Sequence, residues 1–111
     1  YTMTFIHKEL AKEKWFKMSL MEQLGNIGSE VGRAKTYQKE NDSRLQNTVA
    51  RALELFDLTL SDSRWHGRLK EIGRARDVFC DAISGSSEYG STLSDLENYF
   101  LYFAIAARSK L

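Results

Sequence analysis

A chain of 111 residues, 42% of them hydrophobic, has apolar material for one packed domain and too little length for two. Sixteen Lys and Arg against fifteen Asp and Glu give a formal charge of +1, which excludes a global field that would hold the protein on nucleic acid or an anionic membrane. The single cysteine, Cys80, excludes an intramolecular disulfide framework and a cysteine-rich zinc site, and it suits a reducing compartment, so a cytoplasmic location is expected.

Proline is absent, strand-like alternation is missing, and strong helix formers fill the periodic segments, so the chain reads as all-α. Tyr1-Thr2 is left out of this reading. The first helix is expected over about residues 5–39, opening with a solvated mixed-charge stretch, Lys8 to Lys17. Phe16, Leu20, Leu24, Ile27, Val31 and Ala34 then share one face, while Met21, Gly25, Gly28 and Gly32 line up about a quarter-turn away. Each internal glycine costs about 1 kcal/mol relative to alanine unless close packing offsets it. The glycine stripe therefore asks for a close partner, either the last helix or another subunit. The alternative is a break at Gly25-Asn26, a candidate left-handed cap.

Glu40-Asn41-Asp42-Ser43 reads as a turn, with Asp42 or Ser43 available to cap a second helix over residues 43–60. Leu45, Val49, Ala52, Leu53, Phe56 and Leu60 define its inner face, and Leu55 and Leu58 fall off that stripe. After Ser61-Asp62-Ser63 a third helix is expected over 63–84, ended by Gly85. Its stripe is Trp65, Leu69, Ile72, Phe79 and Ile83, with Arg76 in the middle. A buried guanidinium needs a partner, and Glu30, Glu54 and Asp57 are the candidates.

GSSEYGS, residues 85–91, is a connector. Ser91 or Thr92 caps a last helix over 92–109 whose inner face is Leu93, Leu96, Phe100, Phe103, Ala104 and Ala107, and whose Leu101, Tyr102 and Ile105 project elsewhere. The apolar run Tyr99 to Ala107 is about half of the roughly twenty residues a membrane span needs, so no membrane is expected. Four helices joined by short turns predict one domain over 1–111, an antiparallel up-down-up-down four-helix bundle with a long first helix.

Three clusters could carry function. Glu30, Arg33, Glu54, Asp57 and Arg76 form a candidate inter-helix polar cluster, read first as register-fixing ion pairs and second as a small-ligand or catalytic site. Arg64, Trp65, His66, Arg68 and Arg74 form a candidate nucleic-acid patch, combining phosphate contacts with aromatic stacking. Leu55, Leu58, Leu101, Tyr102 and Ile105 are apolar surface in excess of one bundle and form a candidate oligomer interface. Metal centres inside helix bundles use Glu-x-x-His pairs, but neither His7 nor His66 follows a glutamate by three, so no metal is expected. No catalytic set and no cofactor motif is read. Cys80 fits an inert core thiol, and the glycines follow no strand and lack the lysine-serine pair of a phosphate loop.

The blocks LGNIGSEVGRAK, RALELFDLTL, GRLKEIGRARDVFCD and YFLYFAIAARS together resemble a group of small prokaryotic four-helix proteins, a resemblance that implies the fold and no activity. In architecture the chain is also similar to small four-helix accessory proteins of retroelements and ribosomal-RNA intervening sequences, which are basic where this chain is nearly neutral. The leading expectation is a non-enzymatic, self-associating helical-bundle interaction or accessory protein whose partner is a second copy or another helical protein. The alternatives are an RNA- or DNA-associated accessory protein and a small-ligand binder or enzyme.

Overall fold

A computed structural model describes residues 12–85 and 92–109, with side chains to residue 106. All the regular structure among them is helical. Residues 12–16 are helical (α1), followed by α2 (Leu20–Lys39), α3 (Leu45–Leu60), a 3-10 turn (Ser63–Arg68), α4 (Leu69–Ser84) and α5 (Leu93–Ser109). The expected helix start near residue 5 and the connector over 86–91 lie outside the described residues.

The continuous first helix is corrected: the chain breaks between α1 and α2, well before the glycines. Ser19 stands in an extended conformation, and its hydroxyl accepts the Glu22 backbone N–H at 3.2 Å while the Glu22 carboxylate accepts the Ser19 N–H at 3.1 Å. This reciprocal cap satisfies two orphan donors of the helix start, which a straight run through Ser19 would not need. The break re-aims the chain, so that Trp15 is buried while Phe16, expected on the inner stripe, stands 38% exposed.

Beyond Ser19, α2 runs unbroken through Gly25-Asn26, and its glycines meet α5. A Cβ placed on Gly25 would lie 3.1 Å from the Ala104 Cα, and one on Gly28 would lie 2.5 Å from the Phe100 Cβ. Gly32 faces the carboxylate end of the Glu97 side chain, which can swing aside. Rising numbers on α2 thus meet falling numbers on α5, and the two helices run antiparallel, at a spacing that leaves no room for a Cβ at Gly28 and little at Gly25. The close partner that the glycine stripe asks for is the last helix of the same chain.

α3 lies against the other side of α2, and α4 contacts both α3 and α5. Ile27, Val31 and Ala34 of α2 meet Ala52 and Phe56 of α3, Ile72 and Phe79 of α4, and Leu96 and Phe100 of α5 in one core. Phe56 sits at its centre, 5.9 Å from the Phe79 ring and 5.8 Å from the Phe100 ring, edge-on to the latter. The buried row of α3 is Thr48, Ala52, Phe56 and Thr59, rotated from the expected stripe because two threonines occupy core positions.

The turns follow their chemistry. Asn41 adopts a left-handed backbone (φ 52°) between α2 and α3, and Gly85 closes α4 at φ 80°. Thr92 and Asp95 exchange backbone and side-chain hydrogen bonds at 3.1 and 3.2 Å to start α5. The third helix, expected to begin at residue 63, begins as an α-helix only at Leu69. Asp62 caps a 3-10 turn, and Trp65 departs from helical geometry (φ −102°, ψ 25°).

Candidate functional site

The most enclosed polar arrangement is a hub where α1, the α2 start, the α3 end and the 3-10 turn converge. Gln23 has no exposed surface. Its amide nitrogen donates to the Trp15 carbonyl at 2.8 Å and, more weakly, to the Asp62 carboxylate at 3.4 Å; its amide oxygen accepts the Trp65 indole N–H at 2.8 Å. The Trp15 indole donates to the Thr59 hydroxyl at 3.1 Å, and that hydroxyl donates to the Leu55 carbonyl at 2.9 Å. Asp62 receives Arg64 through Nε at 3.0 Å and Nη2 at 2.7 Å, and Arg64 Nη2 also reaches the Met18 carbonyl at 2.9 Å. The Arg64 hydrogen bond holds the Asp62 carboxyl below its usual range despite burial. No buried side-chain polar atom is left without a partner among the described residues, so the hub is a closed clasp with no group offered to a ligand.

Sequence reasoning missed Gln23 and Thr59. Gln23 lies one heptad before Glu30, and both occupy the inner row of α2 beside Leu20, Leu24, Ile27 and Val31. Two polar residues in register within an apolar stripe were the available signal.

The expected inter-helix polar cluster separates into two pairs. Arg76 Nε donates to Asp57 Oδ1 at 2.9 Å across α3 and α4, on a half-exposed edge, while the neighbouring Ala75 is the one that turns into the core. Arg33 Nη1 donates to Glu30 Oε1 at 2.7 Å within α2, and the Glu30 carboxylate is nearly buried while Arg33 is open to solvent. Glu54 is exposed and forms no ion pair among the described residues. The five residues therefore do not surround one space.

The basic-aromatic group is dispersed as well. Arg64 serves Asp62 and lies 4.4 Å above the Trp65 ring, while Arg68 donates to Glu71 at 2.9 Å. His66 is exposed, and Arg74 borders a different cleft, about 400 Å³ in volume, between α4 and α5. At the rim of that cleft the Tyr99 hydroxyl donates to Glu71 at 2.5 Å. Burial first, and the Glu71 bond second, push the Tyr99 hydroxyl well above its ordinary pKa, and the Arg68 and Tyr99 bonds lower that of Glu71. Two of the arginines proposed for phosphates are thus already held by carboxylates.

The five candidate interface residues divide by helix. Leu55 and Leu58 are half-buried against their own core. Leu101, Tyr102 and Ile105 stand 50%, 76% and 52% exposed, and their spacing places them on one face of α5. Beside them a groove of about 380 Å³ runs between α2 and α5, floored by Gly25, Gly28 and Ala104 and edged by Ser29, Asn98 and Leu101. Cys80 is a free, half-buried thiol. No group of three His, Cys, Asp or Glu side chains among the described residues could hold a metal ion, and no described helix is long and apolar enough to cross a membrane.

Comparison with protein-family models, curated proteins and solved structures finds nothing that matches this chain.

Proposed function

We propose that the protein is a non-enzymatic helical interaction module that self-associates through the outer face of α5. The observation that carries this reading is the exposure of Leu101, Tyr102 and Ile105 together on one helix whose other flank is pressed against α2. Three large apolar side chains in one exposed patch favour a protein partner. The neighbouring groove is of a size to receive apolar side chains, so patch and groove form a self-complementary surface suited to a two-fold dimer. In this reading α2 to α5 form an antiparallel four-helix bundle, with α1 as an appended brace. The free Cys80 thiol suits a cytoplasmic setting.

The closed hub, the solvent-edge pairs and the dispersed arginines lend less support to catalysis or nucleic-acid binding. Static light scattering over a micromolar concentration series tests the proposal. A mass rising toward twice that of the chain is expected; a constant monomer mass throughout would overturn it.

A further inference from the structure

We propose that the cleft between α2 and α3 binds a small phosphate-type oxyanion, with Arg51 as the principal ligand. The cleft, about 250 Å³, is bordered by Glu30, Arg33 and Tyr37 of α2 and by Arg44, Asn47 and Arg51 around and along α3. Positions 30, 33 and 37 share one face of α2, and positions 44, 47 and 51 share the facing side of α3. Three guanidiniums thus converge on one recess from two helices.

Their charges are not equally compensated. Arg33 is neutralised by Glu30 at 2.7 Å. Arg44 grips Asp42 at 2.7 Å and lies 4.5 Å over the Tyr37 ring; its hydrogen bonds hold the Asp42 carboxyl at about 2, so that this carboxylate stays ionised at neutral pH and occupied with Arg44. Arg51 has no carboxylate within ion-pair distance among the described residues, which makes it the uncompensated cation of the cleft. The first turn of α3 adds no negative charge, since it contains no acidic residue. A guanidinium presents several N–H donors in a planar fork, and Arg33 and Arg44 each use only part of theirs on a carboxylate, leaving donors that can share an oxyanion with Arg51. The Asn47 amide adds a neutral donor. At about 250 Å³ the recess has room for a phosphate group with a small organic remainder, so the ligand is free phosphate or a small phosphate monoester.

Nuclear magnetic resonance titration of the whole chain with sodium phosphate, against sodium chloride at matched ionic strength, tests this. Saturable shifts at the Arg51 side chain and the Asn47 amide are expected with phosphate and not with chloride. Arg51→Ala and Arg51→Gln should each raise the phosphate midpoint roughly tenfold or more, the loss of one charge-assisted hydrogen bond, with the rest of the spectrum unchanged. Arg68→Ala, on the far side of the hub, should leave the midpoint alone. Glucose 6-phosphate binding more tightly than inorganic phosphate would assign a monoester, and the reverse order the free ion. Chloride reproducing the phosphate shifts, or an unchanged midpoint in both Arg51 variants, would overturn the proposal.

Discussion

The two flanks of α5 are built on opposite terms. On the inner flank Phe100 and Ala104 press against a helix stripped of side chains at Gly25 and Gly28; on the outer flank Leu101, Tyr102 and Ile105 stand largely in solvent. The sequence composition of the two flanks is similar, since both are apolar and aromatic. The difference lies in α2, where glycine removes the atoms that would keep α5 away. The fold thus packs one flank of α5 tightly on α2 and leaves the other exposed.

Substitutions on the inner flank should cost folding. Phe100→Ala removes a ring at the centre of the aromatic cluster and should destabilise by about 3–5 kcal/mol, measured by urea denaturation. Gly28→Val drives a branched Cβ into the Phe100 Cβ, close to the backbone, where no flexible chain end can yield. A loss of about 2–3 kcal/mol is expected. Gly73→Ala sharpens the contrast, because a Cβ there meets nothing within 4 Å. That variant should gain up to about 1 kcal/mol from helix propensity alone, and a loss would contradict the open space at this position.

The start of α2 is tied to α1, to α3 and to the 3-10 turn by the hub. Gln23→Leu leaves the Trp65 indole N–H without its partner and the Trp15 carbonyl with only the Met18 N–H, and should destabilise by about 1–3 kcal/mol. Asp62 gives the same clasp a pH signature. Its folded-state pKa lies below the unfolded value near 3.8, so its contribution is present above that value and is lost as pH falls through the folded one. Chemical denaturation from pH 6 downward should show a stability decrease below about pH 4 that is smaller in Asp62→Asn.

The glycine stripe was legible as a demand for close approach, because its period matched a helix face, but two partners satisfied it equally until α5 was seen antiparallel to α2. Leu93, Leu96 and Phe100, and the Thr92 start of α5, follow from period and cap chemistry. The Ser19 break carries the same S-x-x-E signal, but the helical stripe running through it masked the cap. Gln23 and Thr59 escaped notice because a buried polar residue is defined by partners distant in sequence, here Trp65 and Trp15. Among the candidate sites, exposure on α5 and half-burial on α3 separated residues that patterning had grouped. Leu55 and Leu58 came close to the core because Thr48 and Thr59 turn the buried row of α3 toward them.

The outer flank should behave in the opposite manner to the inner one. Leu101→Glu with Tyr102→Glu changes two exposed side chains, so folding stability should move by no more than about 0.5 kcal/mol per site. Sedimentation velocity of this double variant beside the unaltered chain is the most direct measurement. The account requires the unaltered chain to sediment as a concentration-dependent dimer and the variant as a folded monomer; the same assembly in both would contradict it.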